Sequence, residues 1–142
     1  MDNNIKVAIA WKGLPVYGAT QIAPLIDEPD YPVDIIGTES QGHSECIEQL
    51  LNHNVHWIDP DIPIKWKEMG LDIPDVFIHT GWAYGAFNGL ANEVRSKGGK
   101  VISMIDNCWK FSLRQIIGAI VFRFYYKSWF WGVIVPGASA YK

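Results

Sequence analysis

Asp75-Val76-Phe77-Ile78-His79, Lys100-Val101-Ile102-Ser103-Met104-Ile105-Asp106 and Phe130-Trp131-Gly132-Val133-Ile134-Val135 decide the fold of this chain. Each is a short apolar run rich in β-branched residues, and helix-like stretches separate them. Such alternation implies a parallel sheet with helices on both faces. Each run empties into a turn that carries polar or turn-forming residues: His79-Thr80-Gly81, Asp106-Asn107 and Pro136-Gly137. In open α/β sheets, ligands bind outside the carboxyl ends of the strands, where these turns lie. The last residues, ending at Lys142, read as the cap of another helix, so the chain reads as half of a larger fold.

Working outward, residues 5–10 form a first strand, 11–18 a loop and 19–26 a helix. Pro24 must sit in that helix's first turn or kink it, because proline is poor in helix interiors. A second strand covers 33–37. A helix over 44–52 places Ile47, Leu50 and Leu51 on one face, a short third strand covers 55–58, and a brief helical piece covers 64–69. The fourth strand is 75–79. The helix over 83–96 spaces Phe87, Leu90, Ala91 and Val94 helically before a Gly98-Gly99 stop. The fifth strand, a long helix and the sixth strand cover 100–105, 112–127 and 132–135. The expected sheet order is 3-2-1-4-5-6, with its switch point between strands one and four. Residues 11–18 and 79–82 then flank one crevice.

At 142 residues with 49% hydrophobic and 19% charged side chains, the chain is one globular domain and not a disordered one. A net charge of -3 gives no reason to expect nucleic acid. Cys46 and Cys108 are far apart and form no CxxC, which favours reduced thiols in a cytosolic protein. The polar start Met1-Asp2-Asn3-Asn4 is unlike a secretory leader. Residues 116–135 come closest to a membrane span, but Arg123 and Lys127 interrupt them.

Gly13-Leu14-Pro15-Val16-Tyr17-Gly18 follows the first strand, where glycines let a backbone approach a ligand and helix amides favour phosphate. The spacing is neither Walker A nor GxGxxG, since Trp11 and Leu14 stand where glycines are needed. Glu39 resembles a ribose-gripping acid, but the broken fingerprint weighs against a nicotinamide cofactor. An ordinary βα turn competes with a functional loop here. Asp59-Pro60-Asp61 spells a metal-binding DxD, yet acids flanking a proline are first turn formers, and no metal is expected. His79 at the end of strand four suits ligand contact or acid-base work, against the ordinary reading of a structural histidine. Asp106 and Asn107 suit capping first and ligand hydrogen bonding second. His43, His53 and His56 lack metal-ligand spacing. Arg114, Arg123 and Lys127 are interleaved with Phe122, Phe124, Tyr125, Tyr126, Trp129, Phe130 and Trp131. This pattern suits a membrane interface. It competes with a helix docked on the sheet through Ile116, Ile117 and Ile120 while its basic residues snorkel.

The segments 75–82, 101–107 and 131–141 resemble the N-terminal half of a GT-B glycosyltransferase of the family-4 type, as found in bacterial surface polysaccharide and lipopolysaccharide synthesis. The resemblance spans nearly the whole chain in order of elements. It implies a three-layer, Rossmann-like α/β domain with a mostly parallel sheet, one half of a GT-B fold. Residues 1–142 would be the acceptor-side domain, with the C-terminal donor-binding domain absent from this chain. The implied reaction is hexosyl transfer from a nucleotide-sugar donor to a saccharide or lipid-linked acceptor, with no cofactor or metal and with the fragment inactive alone. Position 79 matches a strand-four histidine of the family and is the candidate catalytic residue. Gly13, Tyr17, Gly18, Thr80, Gly81, Trp82, Asp106 and Asn107 are the candidate substrate contacts. Many members carry a histidine where this chain has Asp106, so the role at that position does not carry over. Arg123, Lys127 and Trp129 are the candidate membrane contacts of a cytoplasmic protein, peripheral at the inner membrane face. A stand-alone α/β binding or regulatory domain and a dinucleotide-dependent oxidoreductase are the competing readings.

Overall fold

The computed structural model describes residues 4–38, 44–105 and 112–135. Six strands form one parallel sheet: β1 (Val7–Trp11), β2 (Val33–Thr38), β3 (Val55–Ile58), β4 (Val76–Thr80), β5 (Lys100–Met104) and β6 (Gly132–Ile134). Their order is β3-β2-β1-β4-β5-β6, as expected. Parallel strands need long crossovers. These are supplied by α1 (Val16–Ile26), α2 (Ser44–Leu51), α3 (Gly85–Ser96) and α4 (Leu113–Val121), with a 3-10 turn at Trp66–Met69.

Alternation along the strands sorts the core into two layers. Ala8, Ala10, Ile36, Phe77 and Val101 face Phe87, Leu90 and Val94 of α3 and the fully buried Trp66. The Trp66 indole N–H donates to the Leu90 carbonyl at 3.1 Å, so its one polar atom is satisfied. Ile9, Trp11, Val33 and Ile35 face Ala19 and Ile22 of α1 and Ile47 and Leu51 of α2. The strands buried on both faces read as near-continuous apolar runs, as central parallel strands do.

Two local expectations change. Helix α1 begins at Val16, three residues earlier than the periodicity predicts, because extended Pro15 stands at its N-cap. Pro24 therefore lies in its last turn. The long helix is not docked by its aliphatic stripe: α4 buries no residue, and Ile116, Ile117 and Ile120 are 42%, 53% and 53% exposed. After Val121 the helix widens into a π turn, Phe122–Tyr126. A wider turn rotates the following side chains relative to the stripe, and Phe122 and Tyr126 take the inward positions. Phe122 lies 5.5 Å from Phe130, nearly parallel to it, and Tyr126 lies 5.1 Å from Trp82. No helix among the described residues is long and apolar enough to cross a membrane.

Candidate functional site

The switch point lies between β1 and β4, which pair in register from Val7↔Val76 to Ala10↔His79. Two threonine hydroxyls shape the loop that leaves β1. The Lys12 N–H donates to Thr80 Oγ1 at 2.9 Å, and the Gly13 N–H donates to Thr38 Oγ1 at 2.6 Å. The Leu14 N–H donates back to the Trp11 carbonyl at 3.3 Å. Three successive amides are thus engaged within the protein, and the loop is fixed by the ends of β2 and β4 on either side. Gly13, at φ +67°, adopts the left-handed conformation that this fixing requires.

Tyr17 and Gly18 lie in the first turn of α1, not in the loop. Tyr17 meets the Trp11 ring edge-on at 6.0 Å. A Cβ at Gly18 would sit 3.3 Å from the Trp11 indole, so the missing side chain lets α1 pack closely on β1. Across the crevice, Gly81 also has a left-handed φ, +74°, and an added Cβ would run into the Tyr84 ring. The Asn88 side-chain amide donates to the Trp82 carbonyl at 2.8 Å, which ties this turn to the start of α3. The Lys12 ammonium reaches over the crevice to within 4.5 Å of the Tyr84 ring centre. Lys12 puts positive charge at the switch point. A single lysine beside a glycine-bearing loop has no spacing that marks it in the sequence.

His79 is completely buried, although it stands at the carboxyl end of β4. Aromatic rings enclose it: Phe77 at 5.2 Å, Phe130 at 5.5 Å and Phe87 at 5.9 Å. Neither imidazole nitrogen has a hydrogen-bond partner among the described residues. Burial holds its pKa down at about 4, against an ordinary 6.5. The adjacent Thr80 backbone opposes this, and the charge of Arg95 adds to it. Proton transfer at neutral pH works best with a group titrating near 7, so His79 here is a neutral hydrogen-bonding group. Beside it in register stands Ser103 of β5, fully buried and equally without a partner among the described residues. Ser103 escaped the sequence reading because a serine inside an apolar strand carries no pattern of its own.

Asp106 and Asn107 lie outside the described residues, as do Glu39, His43, Cys108 and the Pro136-Gly137 turn. Asp59-Pro60-Asp61 is a turn: the Asp61 N–H donates to Asp59 Oδ1 at 2.9 Å. Among the described residues, no three His, Cys, Asp or Glu side chains converge as metal ligands. A cavity of about 680 Å³ opens at the opposite, amino end of the sheet, lined by Asp34, Glu45, Glu48, His53 and His56 among others. Its three carboxylates make it a poor receptor for a diphosphate, and no residue of 11–18 or 79–84 lines it.

The segment after α4 divides its aromatic residues between two directions. Trp129 turns inward: the Arg95 guanidinium lies 4.6 Å from its ring centre, and Arg95 Nη1 donates to the Trp129 carbonyl at 3.2 Å. Phe124 turns outward and is 80% exposed, in line with the aliphatic stripe of α4. Arg123 and Lys127 are exposed beside it. From Asn107 onward the chain has five Lys or Arg and no Asp or Glu, which leaves -8 on the first 106 residues of a chain of net charge -3.

The sequence matches no protein-family model and no curated protein. The fold does have a solved likeness, a structure from Listeria monocytogenes provisionally named a UDP-N-acetylglucosamine 2-epimerase. The match covers 96% of this chain and 40% of that one, at 12% identity and a TM-score of 0.57. This chain therefore spans well under half of that structure's length, and the likeness is one of fold, a Rossmann-like α/β domain.

Proposed function

We propose that this chain is the acceptor-side half of a nucleotide-sugar enzyme, a glycosyltransferase that moves a hexosyl unit onto a saccharide or lipid-linked acceptor. The observation that carries this is the fixed crevice at the switch point. Thr38 and Thr80 lock the loop at Lys12 and Gly13 against the turn at Gly81 and Trp82, in a fold whose solved likeness bears a UDP-sugar name. Lys12 supplies positive charge for a leaving diphosphate, and Trp82 and Tyr84 supply aromatic faces for a sugar. Catalysis in this reading rests on holding the acceptor hydroxyl against the donor anomeric carbon while fixed charge stabilises the departing diphosphate. A donor-binding domain, in cis or as a second subunit, completes the site, and the chemistry calls for no metal or cofactor.

The same reading places the chain at an anionic membrane surface through Arg123, Lys127 and the outward ridge of α4. An apolar stripe flanked by basic residues is the pattern of an interfacial helix. Phe124 replaces Trp129 in that role, since Trp129 packs inward.

The deciding experiment is an amide NMR titration of the isotope-labelled chain with UDP-N-acetylglucosamine, N-acetylglucosamine and NAD. The expected result is sugar-dependent shifts at residues 11–18 and 80–84, and none of comparable size with NAD. Tight NAD binding, or a silent crevice with all three ligands, overturns the proposal.

A further inference from the structure

A buried polar group without a partner destabilises a fold, and two adjacent ones call for an explanation. Among the described residues, His79 and Ser103 are such a pair, side by side on neighbouring strands and pointing to the same face of the sheet. What separates them from the crevice is aromatic. Phe130 lies against the imidazole, Phe122 stacks on Phe130 at an interplanar angle of 7°, and Trp82 meets Phe122 edge-on at 6.4 Å. The two rings of this cover are held differently: Phe130 sits between Trp129, bonded to Arg95, and Trp131, whose N–H donates to the Val101 carbonyl at 2.7 Å, whereas Phe122 continues α4, which buries none of its residues. Phe122 also opens the π turn, a form often found where a helix is locally adapted to function.

We propose that His79 and Ser103 are a sugar-hydroxyl receptor, and that the Phe122–Phe130 stack is its cover, displaced when the ligand enters from the Trp82 side. This deepens the nucleotide-sugar reading and rests on it. The chemistry of the pair selects the ligand class. A neutral imidazole offers one donor and one acceptor, and a serine hydroxyl offers both. Together they match the vicinal hydroxyls of a sugar ring. A phosphate is disfavoured, because the rings around His79 are apolar and the nearby cation, Arg95, is engaged with the ring and carbonyl of Trp129, so burying a phosphate's charge there is costly. The aromatic walls suit the C–H faces of a sugar. In this arrangement His79 positions the sugar, and the diphosphate stays outside with Lys12. Lid motions of this kind run on microsecond to millisecond timescales, within reach of relaxation-dispersion measurements.

The test reads the His79 side-chain nitrogens by NMR in the whole 142-residue chain, with UDP-N-acetylglucosamine and with UDP as the sugar-free control. The expected result is that the nitrogens of His79 shift with the nucleotide sugar and not with UDP. Ser103→Ala should then weaken the sugar-dependent binding about tenfold, the loss of one hydrogen bond, while leaving the fold as stable or more so. Phe122→Ala should loosen the cover and raise the rate of His79 modification by diethyl pyrocarbonate at least tenfold. If crevice amides respond to the nucleotide sugar while His79 stays silent, the receptor is wrong and the broader reading survives. If neither responds, both fall. A Ser103→Ala variant that loses stability shows that the hydroxyl is already satisfied in the free protein, which removes the premise of the proposal.

Discussion

Acidification from pH 7 to pH 5 should weaken this fold through a single imidazole. Burial holds His79 at about 4, against an ordinary 6.5. The unfolded chain takes up a proton there near pH 6.5, and the folded chain resists until about pH 4. Between those values the unfolded state binds more protons, so stability falls as pH falls. The full effect, reached below about pH 4, is about 3 kcal/mol, of which about 2 kcal/mol is lost between pH 7 and pH 5. His79 is completely buried, so solvent screening takes little from this figure. Against a domain stability of about 5–15 kcal/mol it is large. The assay is urea unfolding at the two pH values, where this loss moves the midpoint by about 1 M. Other groups on the chain also respond to pH, so the comparison is with His79→Leu. That variant keeps their contribution and lacks the imidazole's, and its midpoint should move by distinctly less. Equal shifts in the two proteins would refute the reasoning, because they would mean that His79 is hydrated or hydrogen-bonded in the native state.

Thr38→Val removes the acceptor of the Gly13 N–H and should reduce stability by about 1 kcal/mol in the same urea assay, with the crevice amides of residues 11–14 shifting by NMR. Gly81→Ala forces a side chain into a left-handed turn against the Tyr84 ring, and about 1–3 kcal/mol should be lost; an unchanged midpoint would show that the turn is free to relax. Lys12→Gln should leave stability nearly unaltered, since the ammonium is exposed, while weakening UDP-N-acetylglucosamine binding by several-fold in calorimetry. Arg123→Glu combined with Lys127→Glu should reduce co-sedimentation with anionic liposomes, each basic residue near such a surface being worth about 1 kcal/mol; co-sedimentation equal to the parent's would remove the membrane contact.

The parts of this molecule legible in its sequence are those governed by short-range pattern. Apolar runs such as Asp75 to His79 and Lys100 to Met104 had to be strands, because only an α/β sheet covered on both faces buries them. Once helices alternate with such strands, crossover rules leave few orders, and the observed β3-β2-β1-β4-β5-β6 follows. The crevice was legible for the same reason: the switch point is a property of strand order, not of any one residue. What lay beyond reach depended on which way a side chain turns. Ile116, Ile117 and Ile120 make a regular stripe, and a stripe implies a buried face only if nothing else docks the helix. Here Phe122 and Tyr126 of the π turn, with Phe130 beyond it, dock it, and no periodicity in the sequence announces a π turn. Trp129 likewise turns towards Arg95, a contact that no spacing in the sequence announces. Ser103 shows the complementary failure. It is one polar residue in the strand Lys100-Val101-Ile102-Ser103-Met104, and on its own it says nothing. It becomes informative only beside His79, a relation set by strand register across 24 residues of chain. A site made of one residue from each of two strands is thus the kind of feature that pattern reading overlooks. The two buried polar groups identify it, because leaving both without a partner among the described residues gives up stability that two apolar residues in their place would have kept.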